Sequence, residues 1–262
     1  MYKNKSIAVT GASSGIGRAI AQMFIEQGAK VAISDLKSPD KTASEIGAYA
    51  FKCDATNEGD VKSFIEKAQA ENGAIDVYVS NAGVGYGDPG HAAGASNSAW
   101  KMSWQVNVMS SVYAARALLP DWKARGSGRF VITASAAGLL NQIGSASYSA
   151  TKHAAVSFAE SLAIRHWDHG IRAHAICPQY VRTNMTKDFA MAENSRDGLL
   201  EPSDVAQALL LAMQKDEFLV LSHPIVAEYF KHRAMDHQGY ITGLNKLKQK
   251  IGGEHLPVKR ER

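Results

Sequence analysis

What this sequence lacks narrows it first. It has 2 cysteines in 262 residues. Cys53 and Cys177 each stand at the end of a predicted strand, which excludes a disulfide framework. No Cys or His cluster has metal-ligand spacing, so no metal site is expected. No apolar run is long enough to span a bilayer, and Ile7-Ala8-Val9 is too short for a secretory core. The expectation is a soluble cytoplasmic protein with free thiols and no membrane partner. The body also lacks charge of one sign. The formal net charge is +4, and residues 245–262 carry six Lys/Arg against two Glu, which accounts for all of it. A neutral body argues against a nucleic-acid partner, and the basic end reads as a solvated tail. No internal repeat or low-complexity tract occurs. With 45% hydrophobic and 21% charged residues, the chain can bury a large core.

What is present is an alternation of two periodicities. Short apolar runs over residues 5–10, 30–34, 48–53, 77–80, 129–133, 172–176 and 218–221 read as strands. Between them, helical spacing is expected over 15–27, 38–48, 58–71, 99–123, 147–167 and 201–214. This predicts an α/β fold with a Rossmann-type, doubly wound parallel sheet of about seven strands. Residues 1–222 are expected to form one dinucleotide-binding and catalytic domain. Residues 223–262 read as a helical extension, with Val226, Tyr229, Phe230, Tyr240, Ile241, Leu244, Leu247 and Ile251 at helical spacing, packed on the body or on a neighbouring subunit.

The first strand runs into Gly11-Ala12-Ser13-Ser14-Gly15-Ile16-Gly17, which opens the first helix. Glycine there lets backbone approach a pyrophosphate, and the helix start offers unpaired N–H groups and a positive dipole end. The spacing Gly-x-x-x-Gly-x-Gly differs from the general Gly-x-Gly-x-x-Gly fingerprint. Asp35 ends strand two, eighteen residues after Gly17. A carboxylate there can accept hydrogen bonds from both adenosine ribose hydroxyls and repel a 2′-phosphate, which favours NAD over NADP. Capping of the following turn is the alternative. Further on, Tyr148-x-x-x-Lys152 places a phenol and an ammonium on one helix face. A shuffled chain of this composition would hold about 0.6 such pairs by chance, so the pair carries weight only in combination. Ser135 stands thirteen residues upstream, after the β-type run over residues 129–133.

Together, the TGASSGIG turn, Asn81-Ala82-Gly83, Ser135 and Tyr148-x-x-x-Lys152 resemble the short-chain dehydrogenase/reductase family. The resemblance implies that Tyr148 is the general acid/base, that Ser135 binds the substrate oxygen, and that Lys152 favours the phenolate and holds nicotinamide ribose. It also implies that Asn107 loosens its helix and holds a water on the proton path; an Asn bonded to a neighbouring element is the alternative. Cofactor contacts are implied for Gly11, Ser13, Ser14, Gly15, Ile16, Gly17, Asp35, Leu36, Asp54, Ala55, Asn81, Ala82, Gly83, Tyr148, Lys152, Pro178, Val181 and Thr183. Neither Ser14 nor Leu36 is basic, as the corresponding residues of NADP-using relatives commonly are, although Lys37 stands close by. Two departures occur: Ser80 replaces an Asn, and Gln179 replaces a Gly whose absence puts local backbone geometry in question.

By position, Ser135, Ala137, Leu139, Gln142, Ile143, Tyr148, Gln179, Tyr180, Met185, Phe189 and Met191 would line the substrate side, under a lid over residues 185–200. These are mostly apolar, and Arg182 is the one nearby cation. The expected function is hydride transfer between NAD and a neutral, largely hydrophobic secondary alcohol or ketone, in a homodimer or homotetramer. The alternatives are an NADP-dependent carbonyl or 3-oxoacyl reductase, an epimerase or dehydratase, a cofactor-binding regulator without turnover, and a scaffold without cofactor.

Overall fold

The computed structural model describes residues 2–187 and 197–250. Seven strands form one parallel sheet in the order β3-β2-β1-β4-β5-β6-β7. They are β1 Ser6–Thr10, β2 Lys30–Asp35, β3 Tyr49–Lys52, β4 Val77–Ser80, β5 Gly128–Thr133, β6 Ile171–Ile176 and β7 Leu219–Val220. The helices are α1 Gly15–Glu26, α2 Asp40–Ile46, α3 Glu58–Asn72, α4 Asn97–Trp104, α5 Ser110–Arg125, α6 Ala146–His166, α7 Pro202–Gln214, α8 Ile225–Met235 and α9 His237–Lys250.

The strands are nearly continuous apolar runs because both faces of the sheet are covered. Alternation along each strand then separates two cores. Ile7, Val9 and Val131 face a layer with Ile20, Phe24, Val205 and Leu209 of α1 and α7. Ala8, Phe130 and Ile132 face Phe64, Leu118, Trp122 and Val156 of α3, α5 and α6. Strand order reverses between β1 and β4, and the crevice at the strands' carboxyl ends is where ligands bind such sheets.

The boundaries read from the sequence hold to within a few residues, with one change of kind. The helix expected over 99–123 is two α-helices joined by a π-helical turn, Gln105–Met109. Among the described residues, 223–250 also hold two helices. Val226 of α8 belongs to the same core as α6, whereas no residue of α9 is buried.

Candidate active site

The glycine turn is held by close approach. Gly11 and Gly15 have φ of +62° and +58°, a region that favours residues without a Cβ. A Cβ on Gly17 would lie 2.6 Å from Gly11 O and would overlap the Asn81 amide. Asn81 fills that space for a reason: its Nδ2 donates to Thr10 O and Gly11 O, each at 3.0 Å. Thr10 Oγ1 in turn accepts the N–H groups of Asn81 and Ala82 at 3.0 and 3.2 Å. Asn81 and Ala82 therefore brace the turn from β4. Ser80, the departure from the family pattern, is buried and accepts a hydrogen bond from Ser111 at 2.8 Å.

Asp35 faces the same turn. Its Oδ2 accepts Ser13 N–H at 3.0 Å, and its Oδ1 accepts Leu36 N–H at 2.8 Å. Each carboxylate oxygen has a second lone pair for a further donor, so the turn-capping role and a ribose-binding role are compatible. Asp54 Oδ1 is engaged by Thr56 N–H and Oγ1–H at 2.9 and 2.7 Å. Across the crevice, Thr183 reaches the turn: a Cβ on Gly15 would lie 3.2 Å from its methyl group. Asn184 donates to Ser14 Oγ at 3.4 Å. Val181 is buried and bridges Leu200.

Ser135 follows β5 and is buried, and its Oγ accepts Ala137 N–H at 3.1 Å. Tyr148 and Lys152 come from the first turns of α6. That helix comes close to the segment after Ser135 because residue 138 is glycine; a Cβ there would lie 2.6 Å from Lys152 O. Lys152 is buried and donates to Thr133 O at 2.8 Å. Its Nζ lies 5.5 Å from the centroid of the Tyr148 ring.

The phenol of Tyr148 is raised above its ordinary value by burial, opposed by a hydrogen bond from Ser135. Burial lowers Lys152 itself to about 8, so it remains mostly charged at pH 7. Cys177, beneath the site at the end of β6, is pushed up to about 12 by burial and is a neutral thiol.

Asn107 sits in the π-turn with every side-chain polar atom bonded to protein. Its Oδ1 accepts Val84 N–H at 2.9 Å, and its Nδ2 donates to Val84 O and Thr151 Oγ1, each at 3.0 Å. The side chain therefore ties the π-turn to the loop after Gly83 and to α6.

On the substrate side, Gln179 takes the family glycine's place without a positive φ, so the backbone question raised by its sequence resolves in ordinary geometry. Its Nε2 donates to Asp197 Oδ2 at 3.1 Å. Ala137 and Leu139 are buried and Met185 is exposed; Gln142 N–H donates to Ser149 Oγ at 2.9 Å. Arg182 does not face inward as a free cation: it donates to Glu201 at 2.8 Å on the surface. Phe189 and Met191 lie outside the described residues. Sequence reasoning missed Thr10, Thr151, Asp197, His223 and Arg233, which hold the site through contacts distant in the chain. Of these, Arg233 alone left a trace, as a polar residue on the apolar face of its helix.

This geometry matches known proteins. A family model described as short chain dehydrogenase matches residues 5–194. "Oxidoreductase UcpA" of Salmonella typhimurium is 32% identical over 262 residues, with 97% of this chain and 95% of the relative covered. Cyclohexanol dehydrogenase of an Acinetobacter strain is 30% identical over 238 residues, covering 87% and 94%. The crystal structure of 3-ketoacyl-(acyl-carrier-protein) reductase from Brucella melitensis, complexed with NADH, superposes with a TM-score of 0.78 at 30% identity, covering 84% of this chain and 95% of the other. The chain belongs to the short-chain dehydrogenase/reductase family of oxidoreductases. Among the described residues no helix is long and apolar enough to cross a membrane, and no cluster of His, Cys, Asp and Glu could hold a metal ion.

Proposed function

We propose that the protein is an NAD-dependent alcohol dehydrogenase or carbonyl reductase acting on a neutral, largely hydrophobic secondary alcohol or its ketone. The observation that carries this reading is the grouping of Tyr148 with Ser135, whose hydrogen bond opposes the rise of the phenol, and with Lys152, whose Nζ lies 5.5 Å from the ring centroid. Gly11, Ser13 to Gly17, Asp35 and Leu36 would hold the adenosine and pyrophosphate end of NAD, with Asp54, Ala55 and Asn81 to Gly83 beside them. Pro178, Val181 and Thr183 would hold its nicotinamide end. Bound there, the cofactor supplies the hydride acceptor or donor. Tyr148 then takes the proton of the alcohol or returns it to the ketone. Ser135 donates a hydrogen bond to the substrate oxygen as charge develops on it. Lys152, charged at neutral pH, favours the phenolate once a ribose hydroxyl or water competes with Thr133 O for its protons.

Pairing of Arg182 with Glu201 supports a neutral substrate, since an anionic one would want a cation free to replace its water. The name of the 30% identical cyclohexanol dehydrogenase points the same way. The ketoacyl reductase likeness supports a second reading, reduction of a 3-oxoacyl thioester. A panel of cyclic, aliphatic, aromatic, steroid and sugar alcohols and one 3-oxoacyl thioester, followed by NADH and NADPH absorbance, decides between them. Turnover of charged sugars or thioesters alone would overturn the apolar reading.

The same reading takes residues 1–222 as the catalytic domain of a cytoplasmic homodimer or homotetramer, with 223–262 as its extension. Exposed Ile164 and Trp167 at the outer end of α6 support assembly through that helix. A monomeric mass by light scattering at micromolar concentration would contradict it.

A further inference from the structure

Helix α8 lies beyond the matched residues 5–194, yet it is tied to both walls of the cleft. Val226, Tyr229 and Arg233 are three and then four residues apart and so share one helix face. Of α8's residues, Val226 is the one that is buried. Tyr229 Oη donates to both oxygens of Asp197, at 2.9 and 3.2 Å. Asp197 also accepts from Gln179 Nε2 at 3.1 Å. Because a carboxylate only accepts, this contact fixes which way the Gln179 amide faces. Gln179 N–H donates to His223 Nδ1 at 3.3 Å, on the approach to α8. The preceding residue, Pro178, accepts the N–H of Ala136 at 2.8 Å, directly beside Ser135.

One turn further along α8, Arg233 grips the other wall. Its guanidinium donates to the carbonyl of Leu139, to that of Leu140 at 3.3 Å, and to His153 Nε2 at 2.8 Å. The other ring nitrogen, His153 Nδ1, donates to Ser149 O at 2.9 Å, on the helix that carries Tyr148 and Lys152.

We propose that α8 is a brace that sets the spacing between the Ser135 segment, the Pro178-Gln179 segment and α6, with Tyr229 and Arg233 as positioning residues. This rests on the oxidoreductase reading above. A cleft lined by His153, Ser157, Glu160, Phe230 and Arg233 runs between α8 and α6, so the grip comes from hydrogen bonds more than from packing. Removing them should loosen the walls while leaving the sheet intact. Turnover should follow, because proton and hydride transfer depend steeply on how the reacting groups are placed.

The test compares the full-length parent with Arg233→Met, which keeps the stem and removes all three donated bonds, and with Tyr229→Phe, which removes one oxygen. Amide hydrogen exchange and steady-state kinetics are measured on each, together with NADH affinity. In Arg233→Met we expect exchange over residues 135–142 to be at least about tenfold faster, with β1 and β4 unchanged, and kcat to be about tenfold lower. NADH affinity stays within about twofold, and Arg233→Lys recovers part of kcat. In Tyr229→Phe, exchange over 178–182 rises about threefold, with a smaller loss of kcat. Unchanged exchange in both walls overturns the proposal, and so does faster exchange with unchanged kcat. If Arg233→Met fails to fold, Tyr229→Phe decides by the same two readouts. A parent that turns over no alcohol or ketone would sink the proposed function, whereas the exchange comparison would still decide for or against the brace.

Discussion

The nucleotide side and the substrate side of this crevice are built by different means. At the ends of β1, β2 and β4, backbone meets backbone: Gly11 and Gly17 leave no room for a Cβ, Gly15 takes a positive φ, and short side chains of Thr10, Asp35 and Asn81 satisfy main-chain groups. At the ends of β5 to β7 one such approach remains, Gly138 against Lys152 O, and long side chains span the other distances: Lys152 to Thr133, Gln179 to Asp197 to Tyr229, and Arg233 to Leu139 and Leu140. A wall made by steric closeness tolerates almost no change. A wall made by tethers can be re-spaced one side chain at a time, which suits the side that distinguishes substrates.

The largest break in this contrast should come from Gly17→Ala. The added methyl would meet Gly11 O at 2.6 Å, and overpacking of this kind costs about 2–3 kcal/mol. We expect NADH affinity to fall by roughly 30- to 150-fold, by fluorescence titration, on the same overpacking argument. Gly138→Ala has an equally close Cβ clash, with Lys152 O, but lies on the substrate side. It should lower kcat while sparing NADH affinity. Similar losses of NADH affinity in the two variants would erase the distinction.

Asn81→Ala comes next. It removes two donated bonds and leaves the carbonyls of Thr10 and Gly11 without those partners, for an expected loss of about 2 kcal/mol in urea unfolding and weaker NADH binding. Full stability would mean that the turn holds itself. A smaller effect is expected for cofactor choice. With Asp35 beside Ser13 and Leu36, NAD should be preferred over NADP at least tenfold, about 1.4 kcal/mol, and Asp35→Ala should narrow that ratio. Equal use of both by the parent would contradict the reading of Asp35.

The smallest effect lies in stability against pH. Burial lowers His174 below its ordinary 6.5, against a bond to Glu217 O that raises it. A histidine whose folded value is depressed contributes stability that is fully present above about 6.5 and is lost as pH falls from there through the folded value, because the unfolded chain takes up the proton first. Chemical unfolding between pH 7 and 5 should show this loss, reduced in His174→Gln. An identical decline in the variant would assign it elsewhere.

The two sides also differed in how legible they were. The glycine turn, Asp35, Asn81 and the Tyr148/Lys152 pair were readable because each is a short motif tied to a strand end or a helix start. The strand limits were readable because both faces of the sheet are apolar. Asp197, Tyr229 and Arg233 were not, because their partners lie 18 to 94 residues away, and nothing local to those residues specifies the pairing. The sequence placed Arg182 near the site, but its surface pairing with Glu201 depended on where α7 starts. The expected charge attraction between Lys152 and Tyr148 followed from spacing alone, whereas the burial of both groups and the bond of Lys152 to Thr133 O depend on the fold.

The most direct test of the central claim is Tyr148→Phe, with kcat and NADH affinity measured on the same preparation. The ring stays and the transferable proton goes. Alcohol oxidation should fall by roughly 10²–10⁴-fold, the usual contribution of a positioned acid/base group, with NADH affinity within about threefold of the parent. Near-parental turnover in that variant would contradict the assignment of Tyr148 and, with it, the mechanism built on the cleft.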